Sequence, residues 1–216
     1  QDLQSIARAG EDWILTVNGE DLRARRLLLA LPPEALVRLP LPADLHGELQ
    51  ALTTIVSPPL TGVALGFRRE QVAHPLDGFG VLCPFQERRK ILGILFDTTL
   101  FPGRAPEDQV LLSIFLGGRR QEDPTVLEEE ALRARVLGEA REILGIEGEP
   151  TLFHPVHWPR AIPQYDRGYH RYRELFDRLE QRHPGLTFAG NTRDGVALGN
   201  CVLSGKDRAE RILGIA

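Results

Sequence analysis

The stretch Gly185-Leu-Thr-Phe-Ala-Gly-Asn-Thr-Arg-Asp-Gly-Val-Ala-Leu-Gly-Asn-Cys-Val-Leu-Ser-Gly205 decides how the chain is read. Residues 186–189 form an apolar run of strand length, and Gly190-Asn191 is a turn signal. Residues 196–212 then have helical spacing, with Leu198, Cys201, Val202, Gly205 and Ala209 on the face expected to turn inward. A strand, glycine turn and helix in this order aim unpaired N–H groups and the positive end of a helix dipole at whatever lies above the strand end. A phosphate or another electron-rich ligand suits that place. Gly195, Gly199 and Gly205 would let the helix or its entry approach a ligand or strand closely, at a cost in helix propensity. A purely structural strand and helix fits the same pattern.

Working outward, Trp13-Ile-Leu-Thr-Val17 and Leu27-Leu-Leu-Ala-Leu31 flank the turn signal Asn18-Gly19-Glu20-Asp21, which predicts a hairpin with a fully buried second strand. Pro32-Pro33 stops that strand, and a short helix is expected over residues 34–37. Residues 53–67 read as strand, turn and strand around Pro58-Pro59. The runs Val81-Leu82, Ile91-Leu-Gly-Ile-Leu-Phe96 and Val110-Leu-Leu-Ser-Ile-Phe-Leu116 predict an antiparallel sheet. Asp123-Pro124 is expected to open a long amphipathic helix that Gly145 ends. A second helix over residues 168–182 places Tyr172, Leu175, Phe176 and Leu179 on one face and closes at Pro184-Gly185. The fold class is mixed α/β.

With 216 residues, 42% of them hydrophobic, the chain can bury a sizeable core and form one or two domains. Its 26 basic and 30 acidic residues are interspersed, which leaves no electrostatic footprint for nucleic acid. Cys83 and Cys201 stand apart in apolar stretches, so a disulfide has no support and a reducing cytoplasm is expected. No apolar run reaches the ~20 residues of a spanning helix. The sequence holds no Met and opens on Gln1, from which a fragment or processed chain is expected.

The quoted stretch closely resembles the C-terminal flavin motif of the protoporphyrinogen oxidases, within the amine-oxidase superfamily. Three further strings resemble the same family in the same order. They are Leu29-Ala-Leu-Pro-Pro33, then Gly78-Phe-Gly-Val-Leu-Cys-Pro followed by Ile91 through Pro106 and Phe115-Leu-Gly-Gly118, and then Trp158-Pro-Arg-Ala-Ile-Pro-Gln-Tyr165. Tyr169, where relatives commonly carry histidine, and Asn200, where aspartate is frequent, depart from the pattern. The resemblance covers the whole chain but only the second half of such an enzyme. It implies FAD as cofactor, a porphyrinogen as substrate and dioxygen as oxidant. Residues 1–52 would then belong to the FAD-binding domain, residues 53–150 to the substrate domain with a mixed or antiparallel sheet, and residues 151–216 to the end of the substrate domain and the last part of the FAD-binding domain. No Gly-rich dinucleotide fingerprint occurs here, so the adenosine and pyrophosphate would be held by a further, N-terminal FAD-binding segment.

The resemblance also implies site residues. Leu82, Leu100 and, more weakly, Phe101 would contact the tetrapyrrole. Val196, Ala197 and Leu198 would open the last helix toward the pyrimidine edge of the flavin, Trp158, Ala161 and Ile162 would line the ring, and Leu3 would touch the adenine. No side chain stands out as an acid–base catalyst, because hydride loss to a flavin needs a water-poor slot more than a proton carrier. As plain residues, Leu82 and Leu100 read equally as core leucines and Trp158 as a packing anchor. His154 and His157 fall on opposite faces if residues 151–158 are extended, so no metal site is expected. Arg88-Arg89-Lys90 reads as a solvated turn. A homodimer and peripheral membrane attachment are further expectations. The rivals are a coproporphyrinogen oxidase, another amine-oxidase relative, and a non-catalytic module without flavin.

Overall fold

The computed structural model describes residues 2–119 and 121–215. Its strands are β1 (Leu3–Ala9), β2 (Asp12–Val17), β3 (Glu20–Ala24), β4 (Leu27–Leu29), β5 (Leu60–Arg68), β6 (Gly80–Leu82), β7 (Gly93–Leu95), β8 (Gln109–Gly117), β9 (Leu152–Trp158) and β10 (Leu186–Phe188). Its α-helices are α1 (Pro33–Leu36), α2 (Ala43–Leu49), α3 (Asp97–Leu100), α4 (Glu129–Leu144), α5 (His170–Arg182) and α6 (Leu198–Leu213). The mixed α/β class is as expected. Contacts divide the chain into a unit made of Gln1–Ser57 with Ile162–Ala216 and a second unit, Pro58–Ala161.

In the first unit β1, β2 and β3 form an antiparallel meander. Asn18 and Gly19 adopt φ of 52° and 83°, the left-handed pair that a two-residue hairpin turn needs. That tight turn delivers the chain straight into Glu20, so the second strand of the hairpin is β3 and not the Leu27 run. Charged residues are tolerated there because β3 is an exposed edge. Leu27 and Leu29 are buried instead in a parallel pair of β4 with β10. Tyr172, Leu175, Phe176 and Leu179 of α5 pack with Trp13, Leu45, Leu49 and Phe188 in one core, as their spacing predicts.

Helix α6 departs from its predicted orientation. Leu198 and Val202 are 82% and 64% exposed, whereas Ser204 and Arg208 are buried. The inward positions are polar because they face charged groups that must be partnered once water is removed. Gly199 and Gly205 meet no other atoms within 4 Å, so neither serves a close approach. Gly195 does: its φ is +119° and a Cβ there would lie 2.3 Å from Asn200 Nδ2.

The second unit is a five-stranded sheet in the order β6-β7-β8-β5-β9, antiparallel throughout. Residues 50–54 form a 3₁₀ turn, so the strand predicted before Pro58-Pro59 is absent and only β5 follows. Alternate residues of β5 and β8, namely Val63, Leu65, Phe67, Val110, Leu112, Ile114 and Leu116, pack with Leu132, Val136, Ala140 and Leu144 of α4. Asp123 caps only a 3₁₀ turn, accepting from Thr125 N at 2.8 Å, and α4 begins later at Glu129. Gly145 ends α4 in the left-handed conformation, as predicted. Where β7 stops, the Thr98 hydroxyl continues its ladder. It accepts from Leu111 N at 2.6 Å and donates to Leu111 O at 3.3 Å, which seats α3 beside β8.

Candidate functional site

In the first unit the candidate site is the loop after β10 and the start of α6. Five charged side chains hold it from beneath. Arg193, almost fully buried, pairs with Asp177, with Glu180 at 3.4 Å and with Asp194 at 3.5 Å. Arg208 reaches Asp194 at 3.3 Å and Glu180 at 3.8 Å. Ser204 Oγ donates to Asp194 Oδ2 at 2.5 Å and accepts from Gly190 N at 3.1 Å. Glu180 also accepts from Phe188 N at 2.8 Å, so α5, β10, the loop and α6 share one network.

Two tyrosines hold the loop from the side. The Tyr165 hydroxyl donates to Asn191 O at 2.6 Å and accepts from Gly195 N at 2.9 Å. Its ring stacks on Tyr169 at 3.9 Å, and the Tyr169 hydroxyl donates to Thr192 O at 2.7 Å. Burial pushes both phenols above the ordinary tyrosine range, so both keep the proton that these bonds require. Tyr169, one of the two departures from the family pattern, therefore holds this loop, and Asn200, the other, lies exposed beside Gly195.

Above the loop lies an open pocket of about 520 Å³, lined by Ile162, Tyr165, Arg193, Gly195, Val196, Ala197 and Asn200 among others. Helix α6 has no side-chain cap, and the Val196 and Ala197 amides find no acceptor among the described residues. Arg193 Nη1 is buried and likewise has no hydrogen-bond partner. Free amides and a helix N-terminus together suit the electron-rich edge of a planar ring, and the pyrimidine edge of a flavin has that chemistry. Leu198 follows at the first turn of α6. Leu3 lies outside the pocket, on β1 against the core.

In the second unit the register defines the sheet face that α4 does not use. One row across it runs Leu82, Gly93, Phe115, Gly62 and Val156; the next runs Leu95, Ser113, Ala64 and His154. Gly62, Ala64 and Gly66 give β5 a floor almost without side chains. Trp158 and Phe115 close over it: a Cβ at Gly62 would lie 3.0 Å from Trp158 Cζ3 and 3.6 Å from Phe115 Cε1. Leu82 stands exposed at the end of its row, and Leu100 and Phe101 end α3. Ala161 is anchored by its amide to Pro58 O at 3.0 Å.

His154 and His157 do lie on opposite faces of β9. His157 Nδ1 hydrogen-bonds Thr61 Oγ1 at 2.9 Å, and no group able to hold a metal occurs among the described residues. Arg88 and Lys90 are exposed, as a solvated turn requires, while Arg89 is half-buried because α4 is within its reach. Arg89 pairs with Glu139 at 3.4 Å and Glu142 at 2.7 Å, and Lys90 N donates to Glu139 at 2.8 Å.

Sequence reasoning did not single out Phe115, Ser113, the Gly62-Ala64-Gly66 floor or the Arg193 network. The floor had a readable signal, small residues at every second position of a strand. The network had none beyond the adjacent Asp194, since Asp177 and Glu180 come from α5 and the second arginine from α6.

Comparison with known proteins follows this geometry. The family model described as flavin containing amine oxidoreductase matches residues 1–213. The mitochondrial protoporphyrinogen oxidase of Nicotiana tabacum is 37% identical over 72% of this chain and 31% of its own length. The protoporphyrinogen oxidase of Bos taurus is 33% identical over 94% of this chain and 43% of its own. The coproporphyrinogen III oxidase of Bacillus subtilis is 28% identical over 93% and 43%. A solved Exiguobacterium protein assigned as a protoporphyrinogen oxidase superposes with a TM-score of 0.80 at 24% identity, covering 97% of this chain and 46% of that one. The chain thus spans less than half the length of these relatives.

Proposed function

The chain belongs to the flavin-containing amine oxidoreductases, and from that membership we propose that it is part of an enzyme that oxidises a porphyrinogen to a porphyrin. FAD is the cofactor of this class. The observation that carries the proposal is the second sheet face, where a floor of Gly62, Ala64 and Gly66 lies under Phe115 and Trp158 with Leu82 at its edge. Such a surface matches a flat, apolar macrocycle. The names of the relatives, protoporphyrinogen oxidases and a coproporphyrinogen III oxidase, support the same substrate class.

When bound, FAD supplies the oxidation, with dioxygen as the final acceptor. The chain's own residues bind, orient and exclude water. Leu82, Leu100, Phe101, Phe115 and Trp158 offer the macrocycle an apolar surface, which favours loss of hydride over exchange with solvent. The Val196, Ala197 and Leu198 amides hold an electron-rich ring edge, with Ile162 beside it, and the helix N-terminus favours negative charge there. Trp158 and Ala161 are proposed as further contacts of FAD. A further segment with the dinucleotide fingerprint holds the adenosine and pyrophosphate, where Leu3 would touch the adenine. The proposal places the protein in the cytoplasm, consistent with its two free cysteines, as a homodimer with at most peripheral membrane contact.

The test supplies the FAD-loaded protein that carries this chain with protoporphyrinogen and coproporphyrinogen in turn, following porphyrin fluorescence and oxygen uptake. Fluorescence rising with oxygen consumption is expected, and the ratio of the two rates separates vinyl from propionate preference. No porphyrin from either compound would sink the substrate assignment. Porphyrin formed without oxygen uptake would remove dioxygen from the proposal.

A further inference from the structure

We propose that Asp97 recognises the pyrrole N–H groups of the reduced macrocycle and thereby distinguishes substrate from product; this rests on the substrate reading given above. Asp97 opens α3, and its Oδ2 accepts a hydrogen bond from Ser113 Oγ at 2.6 Å. Ser113 lies on the second face between Leu95 and Ala64, in the row that ends at His154, so the bond fixes the carboxylate beside that row. No other hydrogen bond and no ion pair reaches this carboxylate among the described residues. Asp97 is only half-buried, and its remaining lone pairs are open for a ligand's donors to meet.

A porphyrinogen presents such donors. Every pyrrole nitrogen of the reduced macrocycle carries hydrogen, whereas half the ring nitrogens of the porphyrin are bare and offer lone pairs. The carboxylate attracts the first arrangement and is partly repelled by the second. A purely structural Asp97 would only tether α3 to β8. Asp97→Asn separates the two roles, because the amide oxygen still accepts from Ser113 while the charge is lost.

The FAD-loaded protein that carries this chain, its flavin kept reduced, is dialysed to equilibrium under argon against coproporphyrinogen and, separately, against coproporphyrin, and bound ligand is quantified as porphyrin fluorescence after reoxidation in air. The wild type is expected to bind the reduced form about tenfold more tightly, the scale of one charge-assisted hydrogen bond. Asp97→Asn is expected to remove that preference with unchanged thermal unfolding, and Asp97→Glu to retain most of it. If Asp97→Asn binds the reduced form as the wild type does, the inference falls and the face stands as the macrocycle site. If Asp97→Asn fails to fold, loss of the preference in Asp97→Glu overturns the inference and its retention supports it. If the wild type binds neither compound, the substrate face and the inference fall together.

Discussion

At the scale of single residues, Gly62 sets the shape of the second sheet face. A methyl group there would lie 3.0 Å from Trp158 Cζ3, which must give way, and in ordinary contact with Phe115 Cε1 at 3.6 Å. Gly62→Ala should therefore lower macrocycle affinity severalfold while costing only about 1–2 kcal/mol in urea unfolding, because the rings can swing outward. Asp194 is the opposite case, a residue that matters for stability. Asp194→Ala leaves Arg193 and Arg208 short of a carboxylate in a nearly dry network, and a loss of about 3–5 kcal/mol is expected in denaturant titration. Lys206→Ala, which removes an exposed pair with Glu210 at 3.8 Å, should cost less than about 0.5 kcal/mol. Equal losses would show that the network contributes no more than a surface pair. Leu82 was legible because it sits inside a family string. Phe115 sits inside another such string, yet its partner Trp158 comes from β9, and sequence spacing does not show which strands are neighbours.

At the scale of elements, α6 shows what periodicity reveals and what it hides. The helix itself was legible from its spacing, and its start at residue 198 lies close to the expected 196. Its orientation was not, because an apolar stripe is normally taken to face inward. Here the inward positions are Ser204 and Arg208, chosen by the carboxylates beneath them. The glycines of this segment then fall into two classes. Gly195→Ala places a side chain at φ +119° against Asn200 and should destabilise by at least about 1 kcal/mol, visible as a lower melting temperature. Gly199→Ala and Gly205→Ala meet nothing within 4 Å in a helix and should each stabilise by about 0.5–1 kcal/mol. A melting temperature that falls in all three variants would contradict this division. The β2–β3 hairpin teaches the same lesson in a strand. Its turn was legible from Asn18-Gly19, but its second strand was overlooked because β3 is polar and the apolar Leu27 run lies just beyond it.

At the scale of the whole molecule, the sequence pattern indicated strands and an antiparallel sheet followed by two helices and a strand–turn–helix unit, but the interruption of one unit by the other rested on the family resemblance alone. Short apolar runs such as β4 and β10 carry no mark of each other. Two predictions belong here. The purified chain should show no absorbance in the flavin bands, since no dinucleotide fingerprint lies within it; a retained yellow cofactor would contradict this. It should also self-associate in analytical ultracentrifugation, because Leu198, Val202, Leu203, Leu213 and Ile215 of α6 and its end are all at least 60% exposed. A strictly monomeric chain at high concentration would count against that surface being adhesive. The parallel pair of Leu27–Leu29 with Leu186–Phe188 has a consequence in time as well as in space. During synthesis β4 leaves the ribosome long before its neighbour exists, and the whole of Pro58–Ala161 emerges in between. The inserted sheet can therefore mature early from local contacts, whereas the unit that it interrupts in sequence waits until residues 162–215 have been made.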